Sequence, residues 1–267
     1  MQALALVSLL LFSFTSNAEF LGEVGAAPTT RDEYCALKAD DFFTMIKKQE
    51  NRIGFVNQGG MMNKGTCWWH SRFQRAMTYL AVFNPNAAMP EASQIQVILK
   101  KLQRGREVVE IPGYKNVREF TLINYRQIQK LFNDWQKDDG IKKFSWLNGL
   151  KGRSQVSAYS MQKKMNELFE EVEVKKRITY IKLQVPGIAA HSWLVLDVEV
   201  ISDGLRVTAV EPNWKDLRVV DYVRGWGTLV LKDFKKGVPY VQRTKDFARY
   251  SAAAEQYCRG LGGAATL

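Results

Sequence analysis

Histidine is almost missing from this chain: among 267 residues there are two, His70 and His191. Cysteine is nearly as scarce, with Cys35, Cys67 and Cys258. No metal ion or cofactor is expected. Beyond the first 18 residues no apolar run approaches the length of a membrane span, which excludes a multi-span protein. No internal repeat, no low-complexity linker and no Lys/Arg block interleaved with aromatics is present. Repeat architectures and specific nucleic-acid modules are therefore set aside. The one charge type in short supply is acidic, with 27 Asp+Glu against 38 Lys+Arg and a formal net charge of +11. That excess suits contact with an anionic surface, or it is simply a solvated basic face.

What is present is ample core material, 46% apolar and 12% aromatic, enough for a globular fold. The opening MQALALVSLLLFSFTSNA is apolar and ends in Ser16-Asn17-Ala18, which fits a signal-peptidase site. Its first basic residue is only Arg31, so a retained anchor is the alternative. The expectation is a signal peptide over 1–18 and a secreted or periplasmic mature chain. In an oxidising compartment three cysteines give one disulfide and one free thiol. Cys35 and Cys258 lie near the ends of the mature chain and would close its longest loop, leaving Cys67 over; three unpaired buried cysteines is the other reading.

Helical spacing runs over Asp32–Asn51, from Thr66 to about Asn84, and over Glu91–Gln103, Val117–Gln136 and Ser157–Val172. The chain then turns β-rich, with strands expected at Thr179–Val185, Ser192–Ile201, Leu205–Val210, Leu217–Val223 and Thr228–Leu231. A last helix is expected over Lys245–Tyr257. The fold class is α+β: a helical half carrying Cys67 against an antiparallel β half carrying His191.

Cys67 follows the Gly- and Asn-rich stretch 54–64 and opens a helix, where unpaired backbone N–H groups favour a thiolate. Gln58, nine positions earlier, offers an amide for an oxyanion. A thiol nucleophile needs a base, and only two imidazoles exist. His70 shares the helix of Cys67 and leaves little room for substrate, so it packs or assists. His191 heads a strong strand on the face of Trp193, Val195, Asp197 and Glu199, with Leu194, Leu196, Val198 and Val200 as core. Val210-Glu-Pro-Asn-Trp214 then offers Glu211 or Asn213 to orient the ring. A tight turn centred on Asp203-Gly204 would set Asn213 three residues from His191, roughly 10 Å, and Glu211 five, roughly 17 Å. A wider loop or a bulge must close either gap, and Asn213 needs less. Trp68 and Trp214 stand beside these residues as supporting side chains.

Gln58, the Gly-rich loop and Gly65-Thr-Cys-Trp-Trp69 resemble the nucleophile segment of papain-like cysteine peptidases, and His191 followed by Asn213-Trp214 repeats that family's order of Cys, His, Asn. The loop between Gln58 and Cys67 is longer than the family's. Gly65-Thr-Cys-Trp-Trp69, His191 and Glu211-Pro-Asn213 are also similar to the murein-cleaving CHAP amidase branch of the same fold, although 124 positions separate Cys67 from His191. The resemblance implies a single papain-like thiol hydrolase domain over 19–267 with a helical insertion at about 86–175. It implies Cys67 as nucleophile, His191 as base, Gln58 at the oxyanion and Asn213 or Glu211 orienting the ring. The substrate would be a polypeptide or the peptide of peptidoglycan, and no specific nucleic acid. Transglutaminases and deamidases use the same three side chains. A non-enzymatic wall- or partner-binding protein, with Cys67 as core, is the remaining reading.

Overall fold

The computed structural model describes residues 25–60, 65–143, 152–187, 190–242, 245–261 and 267. The expected leader, 1–18, lies outside them.

Two short helices, α1 (Arg31–Ala36) and α2 (Ala39–Lys47), and a 3₁₀ turn at Gln49–Asn51 replace the one helix expected over 32–51. The break has a local cause. Thr30 and Glu33 form a capping box that starts α1, and the Lys38 N–H donates to Asp41 Oδ2 at 2.7 Å, starting a second helix. The central helix α3 (Cys67–Leu80) also ends earlier than expected. Its continuation, Ala81–Asn84, is strand β1, paired in parallel with β2 (Val109–Pro112). Between them runs α4 (Ala92–Arg104), closed by Gly105 in the left-handed conformation at φ +61°. The long helix expected over 117–136 is divided into α5 (Val117–Ile123) and α6 (Tyr125–Lys143). Asn124 makes the division, its amide donating to Phe120 O and Tyr114 Oη at 2.9 Å each. α7 (Ala158–Phe169) runs into a π turn at Glu170–Val174.

The second half is a six-stranded antiparallel sheet of β3 (Thr179–Gln184), β4 (Ala190–Ile201), β5 (Gly204–Val210), β6 (Leu217–Val223), β7 (Leu229–Leu231) and β8 (Lys235–Val241), in the order β6-β5-β4-β3-β8-β7. The outer strands β6 and β7 approach each other, so the sheet curls almost into a barrel. β8 carries Gly237 and Pro239 and shows no strand pattern in sequence. It is tolerated because β7 pairs only with Lys235–Gly237, leaving Pro239 with a neighbour, Leu183, on one side. The chain closes with α8 (Asp246–Cys258), joined to α1 by the disulfide Cys35–Cys258.

The fold is α+β, with α3 packed on β4 as its axis. Every α3 residue from Trp69 to Leu80 except Arg72 is buried. Two of its buried polar side chains meet partners: Gln74 accepts the Ile53 N–H at 2.7 Å and donates to Asn51 O at 3.0 Å, while Arg75 lies 4.8 Å from the Tyr180 ring centre. Segment 86–175 joins the same core through Ile95, Leu99, Phe120, Phe132, Met161 and Leu168. β4 is covered on both faces from Ser192 to Leu196, so the expected one-sided alternation is absent there. Beyond, Val200 is 64% exposed rather than core, because that end of the strand projects past its cover.

Candidate active site

The hydroxyl of Thr66 does not cap α3. A distant side chain meets the helix start instead. Asn57 Oδ1 accepts the Thr66 N–H at 2.5 Å and its hydroxyl at 3.3 Å. Gly65 makes the approach feasible: it has φ +81°, and a Cβ there would lie 2.4 Å from Asn57 Nδ2. Asn57 also donates its backbone N–H to Pro212 O at 2.6 Å and its Nδ2 to Asn213 Oδ1 at 2.7 Å. One asparagine thus ties the start of α3 to the β5–β6 connection.

The same connection is brought to His191 by strand register. The β4–β5 turn is centred on Ser202-Asp203, since Ile201 pairs with Gly204. That moves the pairing two residues from the Asp203-Gly204 turn expected from sequence. A bulge between Val195 and Asp197 moves it one more, so Leu194 faces Val210. Together these supply the three residues that separated Asn213 from His191. Asn213 Nδ2 lies 3.2 Å from His191 Nε2.

On the other side of the ring, His191 Nδ1 is 3.9 Å from Glu211 Oε1 and is enclosed without a hydrogen-bond partner. Glu211 is fully buried. Its Oε1 accepts the Asn213 N–H at 3.0 Å, and its Oε2 is enclosed and unpaired. Burial raises this carboxyl above its ordinary range, against the pull of the Asn213 N–H and Arg218. The Phe234 ring covers His191 with centres 4.5 Å apart. Burial pushes the imidazole down to about 4, opposed by the negative charge of Asp233.

Cys67 is the free cysteine. Burial pushes its thiol up to about 11, although the Ser192 and Trp68 backbone N–H groups point the other way; the charge of Glu211 adds to the rise. Ser192 follows His191 directly, so the sulfur and the ring lie at one strand–helix junction. No hydrogen bond joins them, and at neutral pH both are uncharged at rest.

The amide orientations fix the ring tautomer. The Thr66 N–H can only donate, so Asn57 presents Oδ1 to it and Nδ2 to Asn213. Asn213 must answer with Oδ1, which leaves its Nδ2 donating to His191 Nε2. Nε2 is then an acceptor, and the ring proton resides on Nδ1.

The remaining sequence candidates have other surroundings. Gln58 is exposed; its amide donates to the Tyr125 hydroxyl and its carbonyl accepts from Gln129 at 2.9 Å. Its neighbour Asn57, which the sequence reading passed over, holds the junction instead. No local pattern marks Asn57, because the bond it forms closes over nine residues. His70 is buried between Phe55 and Phe132, with Nε2 on Phe55 O at 3.1 Å. The Trp68 ring meets Tyr180 edge-on at 5.0 Å, and Trp214, 48% exposed, is stacked by Arg218 at 4.0 Å. Two cavities, of about 620 and 490 Å³, are lined by neither Cys67 nor His191. No group of His, Cys, Asp and Glu able to hold a metal occurs among the described residues. The chain matches no family model, no curated protein and no solved structure.

Proposed function

We propose that the chain is an exported thiol hydrolase of papain-like fold, most simply a peptidase. The observation that carries this reading is the Asn213 amide on His191 Nε2 at 3.2 Å, on the strand against which the helix opened by Cys67 packs. Nε2 is taken by Asn213, so Nδ1 is the nitrogen left for the thiol. In the working cycle the ring proton is carried on Nε2, with Asn213 turned to accept it there; Nδ1 is then free to accept the Cys67 proton, and the sulfur attacks the substrate carbonyl carbon. The imidazolium returns that proton to the leaving amine. Water then adds to the thioester, giving its proton to Nδ1, and the acid leaves as Cys67 regains a proton. The backbone N–H groups at the start of α3 are the donors nearest the developing oxyanion; Gln58 joins them only if it leaves Tyr125. Asn213 orients the ring and Glu211 stands behind Nδ1. The substrate is a polypeptide or the peptide of an anionic wall polymer, for which the +11 charge is suited.

Two further readings each have an observation in their favour. The buried Glu211 beside Nδ1 favours the murein amidase branch. The uncharged thiol without a bond to His191 favours a non-enzymatic binding protein. Incubation with casein and with purified peptidoglycan separates them. Release of soluble fragments from one substrate, abolished by Cys67→Ala, selects the branch. No release from either, with Cys67 alkylating no faster in the parent than in His191→Ala, rejects the enzyme.

A further inference from the structure

The hydrogen-bond chain from Thr66 to His191 has a direction that cannot be reversed piecemeal. It begins at a backbone N–H, passes through two side-chain amides, and ends on a ring nitrogen. We propose that Asn57 is a positioning residue that holds His191 in its Nδ1–H tautomer and so keeps the Cys67 site latent until Asn57 lets go of Thr66 or Asn213.

The geometry leaves one alternative for each link. For Nδ1 to accept a thiol proton, the ring proton must move to Nε2, and Asn213 must then present Oδ1 there. Its Nδ2 would next face Asn57 Nδ2, two donors at the 2.7 Å now spanned by a hydrogen bond. Turning Asn57 over as well only transfers the conflict, since Asn57 Nδ2 would then meet the Thr66 N–H at 2.5 Å. A backbone N–H cannot turn. The donor–donor clash is therefore removed only by separating Asn57 from one of its partners. The Asn57 N–H on Pro212 O and the absent side chain at Gly65 hold it in place meanwhile.

Two features show that this is more than a cap. An ordinary cap is local, the side chain of residue 66 accepting the N–H two or three residues on, which the Thr66 hydroxyl does not do. Here the bond to the Thr66 N–H comes from the loop and continues into the ring. Moreover, the two rings of the molecule are set oppositely: His70 faces a carbonyl with Nε2 and must be Nε2–H, whereas His191 faces an amide N–H with Nε2 and must be Nδ1–H. The consequence for catalysis, though not the tautomer itself, rests on the thiol hydrolase reading above.

The test is nitrogen-15 NMR of the full chain labelled at histidine, with two-bond proton correlations assigning each ring tautomer and His191→Ala assigning the signals. The parent is expected to show His70 as Nε2–H and His191 as Nδ1–H. Asn57→Asp offers acceptors on both oxygens, so Asn213 turns over and His191 is expected as Nε2–H, with Cys67 alkylation by iodoacetamide at pH 7 faster by about tenfold or more. A parent spectrum with His191 as Nε2–H overturns the proposal, as does an Asn57→Asp ring that stays Nδ1–H. The parent result stands even if the variant fails to fold. A tautomer that switches while Cys67 stays as slow supports the role of Asn57 and counts against the hydrolase reading alone.

Discussion

His70 and His191 sit in pockets that differ in one respect. Both rings are buried, both are held down to about 4 by burial, and both are flanked by phenylalanine: Phe55 and Phe132 for one, Phe234 for the other. Around His70 the polar neighbour is a main-chain carbonyl, the Phe55 O. Around His191 it is an amide whose orientation is dictated from outside and a buried carboxylate with an unpaired oxygen. Burial and a depressed pKa therefore do not mark a site by themselves. What marks it is a titratable ring among groups that are themselves incompletely satisfied.

The strongest way to break the comparison is to remove each ring in turn. Cys67→Ala and His191→Ala are expected to lower hydrolysis of the responsive substrate by about a thousandfold or more, whereas His70→Phe leaves it within about threefold. The readout is fragment release from casein and peptidoglycan. Loss in the His70 variant with retention in the His191 variant would reverse the assignment.

Next in size is the Cys35–Cys258 disulfide, which touches neither ring. It spans 223 positions, so reducing it, or Cys258→Ala, is expected to cost roughly 3–5 kcal/mol of stability. Denaturant unfolding with and without reductant measures the loss. Both ring tautomers should remain unchanged in the folded fraction, because the staple joins α1 to α8. A tautomer shift on reduction would mean that the two pockets are coupled to the chain ends.

Acid follows. Each histidine has a folded pKa of about 4, below its ordinary 6.5, so the unfolded chain binds more protons between those values. Stability is thus complete above pH 6.5 and falls as the pH drops toward 4, by on the order of 2–3 kcal/mol for each ring. Glu211, whose carboxyl is raised, acts in the opposite direction at the acid end, and Asp233 faces His191 with a charge that eases its protonation. His70→Phe should therefore flatten the pH 6.5-to-4 loss more cleanly than His191→Phe. Equal slopes in the two variants would show that Glu211 and Asp233 contribute nothing at His191.

How much of this was open to the sequence follows from the range of each interaction. Cys67 at a helix start, the strand beginning at His191 and the free-thiol count were legible because composition and short periodicities carry them. The α+β division was legible for the same reason. The bulge after Val195 was not, since no residue pattern distinguishes two residues opposing one, yet it is what delivers Asn213. Asn57 was hidden beside the more suggestive Gln58 because its partners are Thr66, Pro212 and Asn213, none within a turn of it. Strands β1 and β8 were masked by a helix-like run and by Pro239, and only tertiary pairing decided them.

The finest test concerns what covers His191. The β7–β8 turn places Phe234 on the ring, and next to it Asp233 pairs with Arg218 at 2.6 Å while Arg218 stacks on Trp214. Phe234→Ala removes the cover without touching the Asn57–Asn213–His191 chain. Water then reaches the imidazole, so the desolvation that lowers it weakens and its pKa rises from about 4 toward the ordinary value. The tautomer above that titration should stay Nδ1–H, because Asn213 still donates to Nε2. Cys67 alkylation is therefore expected to rise only about two- to threefold at pH 7, well short of the change for Asn57→Asp. The pH dependence of the His191 ring signals measures the first effect and iodoacetamide kinetics the second. A gain equal to that of Asn57→Asp would make the cover, rather than the amide chain, the element that keeps His191 apart from the thiol.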